Sequence, residues 1–191
     1  MDRSGTIWKQ IRAGDKQGLE ELYQLYYDEL YRYGKCFTQE EVIVEDALQE
    51  TFLSIWKYHQ TVSQPASVKY YLKKVFRHQL LKQLEEHKRY AAGIDDHSFS
   101  FAISFDQQWI EGEDAQLLAA KINAAMQQLT GRQREIIYYR FFENLSFEEI
   151  ATLMNLQLRG SYKLMARALA ALKPALKSNT SGIWQLFIGI V

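Results

Sequence analysis

The chain has 191 residues, enough for one domain or two small ones, and 47% of them are apolar or aromatic, so a packed core is within reach. Its 23 Lys+Arg balance 23 Asp+Glu, which excludes a uniformly basic or acidic protein but conceals a segregated charge pattern. The single cysteine, Cys36, excludes an internal disulfide and suits a reducing compartment. No secretory signal is visible, and the apolar tail IWQLFIGIV (183–191) is shorter than the ~20 residues that cross a bilayer, so a cytoplasmic protein without a direct membrane span is expected.

Residues 1–14 read as a short lead-in with helical character around Ile7 and Trp8. Asp15 then caps a helix to about Phe37, with Leu19, Leu22, Tyr26, Leu30 and Tyr33 as its inner stripe. Thr38 starts a second helix to about Tyr58, with Glu40 and Glu41 favourably placed in its first turn and Val44, Leu48, Phe52 and Ile55 facing inward. The polar segment HQTVSQPAS (59–67) is a loop, and a third helix runs from Val68 to Tyr90. Three amphipathic helices with short connections predict a compact bundle.

The third helix is strongly basic: Lys69, Lys73, Lys74, Arg77, Lys82, Lys88 and Arg89 outnumber Glu85 and Glu86, with Tyr70, Tyr71, Phe76 and Tyr90 interleaved. Lysines neutralise phosphates and aromatic rings stack on unpaired bases, so this pattern suits nucleic acid; a solvated lysine face over an aromatic core stripe is the plainer alternative. Residues 91–114 reverse the charge, carrying Asp95, Asp96, Asp106, Glu111, Glu113 and Asp114 without a basic residue, and read as an acidic linker. Within it FSFAISF (99–105) alternates like a strand and would turn Phe99, Phe101, Ile103 and Phe105 to one side. That row is expected to lie against a domain, to bring the two domains together and to mask basic surface; a disordered tether is the alternative.

Helices resume over 115–128, and Thr130 with Gln133 makes a capping box for a helix to Glu143, ended by Asn144. The stretch LSFEEIATLMNLQLRGSYKLMARALAALK (145–173) reads as helix, tight turn, helix. Ser146 and Glu149 form a second capping box, Leu145 and Ile150 a hydrophobic staple, and Asn155 a left-handed cap. In the second helix Met165, Ala168, Leu169 and Leu172 form the buried stripe, while Arg159, Lys163 and Arg167 recur on another face. That is the layout of a helix-turn-helix with a basic face toward DNA, although periodicity alone does not separate it from a solvated stripe. Pro174 loosens the last turn, and the apolar tail, residues 178–191, is expected to dock on the second domain or a neighbouring chain.

No phosphate-binding glycine loop, nucleophile motif or zinc-ligand spacing occurs, and His59, His78, His87 and His97 do not pair at ligand distance along the chain. Glu45, Asp46 and Glu50 share a helix face; a partner-binding or solvated acidic face is favoured over an oxygen-ligand metal site. No cofactor is implied, and the chain is not read as an enzyme.

EDALQETFLSIWKY (45–58) resembles the core-polymerase-binding helix of bacterial sigma factors, in which an Asp, a Gln, a Phe and a Trp recur as Asp46, Gln49, Phe52 and Trp56 do here. LTGRQREIIYYRFFENLSFEEIATLMNL (129–156) looks like the start of sigma region 4, and Arg167–Ala168 followed by Leu172 matches the end of its recognition helix. Region 2, a short linker and region 4, without region 1.1 or region 3, is the order of the extracytoplasmic-function (ECF) group. The resemblance spans roughly residues 14–175. It implies an all-α protein: an N-terminal helical bundle (1–90, region 2), an acidic linker (91–114) and a C-terminal helix-turn-helix domain (115–177, region 4).

The implied partners are core RNA polymerase, through its β′ clamp helices and β flap, promoter DNA, and an anti-sigma factor. The implied polymerase-binding residues are Asp46, Gln49, Glu50, Leu53 and Trp56. The loop 59–67 corresponds to the one that captures a flipped non-template base, and His59, Lys69, Lys73, Lys74, Arg77 and His78 are the implied −10 residues. Arg159, Ser161, Tyr162, Lys163 and Arg167 are the implied −35 residues. The chain departs from common family patterns at Arg77–His78, Gly160–Ser161 and Ala170–Ala171, which bear on individual base contacts. The rival readings are a helix-turn-helix regulator that binds duplex DNA without polymerase, and a nucleic-acid enzyme using the carboxylates of 45–50.

Overall fold

A computed structural model describes residues 3–90, 99–101 and 113–176 of the chain. Among them every regular element is helical, and the chain divides into two compact units, Met1–Asp95 and Asp96–Val191.

In the first unit α1 (Arg3–Arg12) buries Ile7, Trp8 and Ile11, so the lead-in is part of the core. Helix α2 (Lys16–Lys35) begins as its sequence predicts: the Asp15 carboxylate accepts from Gln17 N at 2.9 Å. Its stripe Leu22, Tyr26, Leu30 and Tyr33 is buried, and Leu19 is half-buried. Helix α3 (Glu41–Lys57) starts later than expected at Thr38, because the chain leaving α2 keeps turning: Thr38 N donates back to Gly34 O at 3.3 Å. The Thr38 hydroxyl instead accepts from Glu40 N at 3.1 Å. Val44, Leu48, Phe52 and Ile55 pack inward as the periodicity predicts.

Helix α4 (Val68–Tyr90) contributes Val68, Leu72, Phe76 and Leu80 at four-residue spacing. The three long helices meet closely at Gly34, where a Cβ would lie 2.7 Å from a Val44 methyl and 3.0 Å from the Phe76 ring. An alanine at this position would have to push two core side chains apart.

The second unit holds α5 (Glu113–Gln127), α6 (Gly131–Ile137), α7 (Phe147–Leu153) and α8 (Leu158–Leu176). Both capping boxes form: Thr130 with Gln133, and Ser146 with Glu149. Asn144 and Asn155 take left-handed φ values of 54° and 53° and end the helices before them. One feature had no sequence signal. After α6 the helix widens into a π turn over Tyr138–Phe142, closed by Glu143 N donating to Tyr138 O at 3.2 Å. Tyr139 is fully buried, and its hydroxyl donates to the buried Glu135 carboxylate at 2.7 Å.

Phe99, expected in the linker, is a core residue of this second unit and is fully buried. Its carbonyl accepts from Arg134 Nε at 2.6 Å, and the same guanidinium donates to Leu129 O at 2.8 Å. Phe99 and Phe101 both pack on Tyr138, with centroids 5.5 and 5.2 Å away, and Phe101 also meets Phe142 at 5.1 Å. Phe99 and Phe101 of the expected row therefore lie against a domain. No strand forms at 99–101; Ile103, Phe105 and the apolar tail lie outside the described residues.

Candidate polymerase and nucleic-acid interfaces

Helix α3 divides into two faces. Behind its core stripe, Gln49, Glu50 and Leu53 are exposed and Asp46 is half-buried beside them. Leu53 is 59% exposed. Val42, 68% exposed, precedes Asp46 by one turn and extends the same row. Val42 was missed in the sequence, although its spacing from Asp46, Gln49 and Leu53 was visible there. Trp56 sits half-buried at the C-terminal edge of the row, stacked on His59 with centroids 4.7 Å apart and planes within 10°. His59 Nδ1 is 2.6 Å from Trp56 O, which fixes the ring.

Glu45 belongs elsewhere: it accepts from the Tyr27 hydroxyl of α2. Along α2 Tyr27 meets Tyr23 at a tilt, centroids 5.2 Å apart, and stacks on Tyr31 at 5.8 Å. The hydrogen bond to Glu45, followed by desolvation, pushes the Tyr27 hydroxyl up to about 12. Glu45 is thus turned toward α2, apart from Glu50, and no acidic, His or Cys group suited to a metal occurs among the described residues.

The basic residues of α4 also divide. Lys74 and Lys82 are exposed on its cationic row with His78 between them at four-residue spacing, and Lys82 Nζ lies 4.0 Å from Glu86 Oε1. Lys69 is at the edge, held by Glu29 of α2 at 2.9 Å. Lys73 and Arg77, expected at the −10 strand, are instead buried, at 2% and 8% exposure. They follow Leu72 and Phe76 by one residue, so they flank the core stripe. Lys73 Nζ lies 3.3 Å from Glu29 Oε1 and 5.3 Å over the Tyr33 ring. A carboxylate and an aromatic face on another helix thus compensate its burial, which spacing within α4 cannot reveal.

In the second unit α7 and α8 form the helix-turn-helix. Arg159, Tyr162, Lys163 and Arg167 are exposed on one side of α8, while Met165, Ala168 and Leu172 are buried on the other. Tyr162 packs its ring on Phe147 at 4.3 Å and remains 49% exposed. Ser161 corrects an expectation: it is fully buried, and its hydroxyl donates to Leu158 O at 2.7 Å within the first turn of α8. Ser161 closes the turn between the helices and does not present itself to a groove.

Two family descriptions match these two units in this order: sigma-70 region 2 over residues 22–90, and sigma-70 region 4 over residues 119–172. The chain belongs to the sigma-70 family, in its ECF group. This ECF sigma factor is 24% identical over 158 residues to the ECF RNA polymerase sigma factor SigM of Bacillus subtilis, covering 81% of this chain and 93% of that one. Its fold is shared with CnrH, solved in complex with the cytosolic domain of CnrY: TM-score 0.57, 18% identity, 94% of this chain and 100% of that one. It is shared equally with the sigma factor RpoE of Bartonella quintana, solved with the anti-sigma factor NepR: TM-score 0.57, 19% identity, 84% and 98% of the two chains. The exposed row of α3 and the cationic row of α4 lie in the region 2 match, and the outward face of α8 lies in the region 4 match.

Proposed function

We propose that this ECF sigma factor docks core RNA polymerase through the α3 row Val42, Asp46, Gln49, Glu50 and Leu53, with the β′ clamp helices as the partner. The exposed apolar pair Val42 and Leu53 within an acidic and amide-bearing row carries the reading, since such a surface suits a partner helix better than water. The β flap engages the second unit. Helix α8 enters the −35 major groove with Arg159, Tyr162, Lys163 and Arg167, whose long side chains reach phosphates and base edges.

At the −10 element Lys74, His78 and Lys82 track the backbone of the opened strand, and the loop 59–67 receives an unpaired base beside His59. Opening is driven by capture: binding of unpaired bases offsets an unstacking cost of a few kcal/mol. No covalent chemistry is involved, and the protein acts in the cytoplasm. An anti-sigma factor controls it, as the complexes of CnrH and of the Bartonella quintana RpoE suggest. Run-off transcription with purified core polymerase on genomic fragments tests the reading: specific starts are expected only when this protein is added. Duplex binding without polymerase-dependent starts would identify a plain helix-turn-helix regulator instead.

A further inference from the structure

Helix α1 precedes the segment that matches region 2, which begins at residue 22, yet it is fastened on three sides. Ile7, Trp8 and Ile11 are buried, and the hydroxyls of Ser4 and Tyr26 lie 2.7 Å apart. Toward the loop 59–67, the Trp8 indole N–H donates to Ser63 O at 3.2 Å, and the ring meets Tyr71 edge-on at 5.1 Å. Gln64 Nε2 reaches Gly5 O at 3.5 Å. The corner between α1 and α2 turns at Gly14, with φ of 86°, where a Cβ would stand 3.8 Å from His59 Nε2. The loop contributes no fully buried side chain; local hydrogen bonds hold its two ends, Thr61 N and Val62 N to Tyr58 O at 2.9 Å and Tyr71 N to Ser67 O at 3.0 Å, while its middle at Ser63 and Gln64 is tied to α1. An indole has one donor and no acceptor, and Trp8 is fully enclosed, so its N–H depends on the Ser63 carbonyl for a partner.

We propose that α1 is the platform that holds the 59–67 loop in its base-receiving shape, with Trp8 as the positioning residue. The inference rests on the reading of that loop as the receiver of an unpaired −10 base. A loop already in its bound shape loses less freedom when the base enters, so a matched base gains over a mismatched one. Trp8 acts through the Ser63 peptide and does not meet DNA.

The test uses the full chain with core polymerase and a single-stranded DNA pool randomised across the −10 element, joined to a fixed duplex. Trp8→Phe keeps a buried ring and removes the N–H. It is expected to flatten base enrichment in the selected pool about three- to tenfold, the range a lost hydrogen bond supplies, while polymerase affinity stays unchanged. Ile11→Ala opens a cavity in the same helix but leaves the indole bond, and is expected to keep wild-type enrichment. Wild-type enrichment in Trp8→Phe, or an equal loss in Ile11→Ala, overturns the proposal. A loop variant, His59→Ala with Gln60→Ala, separates the two levels. If it loses enrichment while Trp8→Phe does not, only the platform falls. If it too matches wild type, the loop is not the base receiver and both readings fall.

Discussion

Replacing Glu29 by Ala removes the carboxylate 3.3 Å from the Lys73 Nζ, whose side chain is 2% exposed. Breaking a buried pair from one side costs ~3–5 kcal/mol; because the Glu29 side chain is itself 31% exposed, the lower end, about 3 kcal/mol, applies. Lys73→Met removes the charge together with its desolvation cost and keeps most of the packed stem. It should therefore change stability by under about 1 kcal/mol, with Glu29 still paired to Lys69 at 2.9 Å. The double variant should resemble Lys73→Met, giving a coupling of about 3 kcal/mol, the full cost of Glu29→Ala. Urea unfolding measures this, with Trp109 and Trp184 changed to Phe so that fluorescence reports Trp8 and Trp56 of the first unit. The midpoint for Glu29→Ala is expected to fall by about 1–3 M. If Glu29→Ala costs under about 0.5 kcal/mol, or Lys73→Met costs as much as Glu29→Ala, the pair is not what compensates the buried lysine.

Leu53→Asp combined with Gln49→Ala should abolish pull-down of core polymerase with the fold intact, and Val42→Asp alone should weaken it; unchanged pull-down by folded variants would remove α3 from the interface. Lys163→Ala or Arg167→Ala should lower the salt slope of −35 duplex binding by about one unit if the lost contact is to phosphate, or relax preference at one base by ~1–3 kcal/mol if it is to a base; wild-type footprints exclude both. Phe99→Ala should destabilise the second unit by ~3–5 kcal/mol, read by hydrogen exchange of α5 and α6, whereas a plain tether residue would leave exchange unaltered. Tyr27 should titrate near 12, read as the difference in phenolate absorbance between wild type and Tyr27→Phe, and Glu45→Gln should lower it. Between the ordinary value of 10.0 and 12 the folded state keeps a proton that the unfolded state has lost, so this contribution to stability is intact below that window and disappears as pH rises through it.

The helices of both units were legible because their signals are local. Thr130 with Gln133 and Ser146 with Glu149 lie three residues apart, and the stripe Val44, Leu48, Phe52, Ile55 needs only the helical period. The open rows of α3 and α8 followed as the complements of those stripes. What was not legible depends on partners distant in sequence. Lys73 looks like any surface lysine until α2 places Glu29 and Tyr33 beside it. Ser161 stands among exposed recognition residues, yet the turn before α8 encloses it. Phe99 sits in an acidic stretch that reads as linker, and only the Arg134 fork and the Tyr138 ring show that the folded unit begins there. The π turn at Tyr138–Phe142 departs from the helical period by a fraction of a turn, below what an apolar pattern resolves.

The inward turn of Lys73 and Arg77 bears on how the protein finds DNA at all. A cation that already neutralises a carboxylate displaces no counterion from a duplex, and each one withdrawn flattens the logarithmic salt dependence of binding by ~0.9. With Lys73 beside Glu29 and Arg77 buried in the bundle, two α4 cations are withheld from phosphates, so the free subunit is expected to bind random duplex with a salt slope about two units flatter than its α4 charge count implies. On the proposed function, such weak nonspecific binding would leave the free subunit available for capture by polymerase.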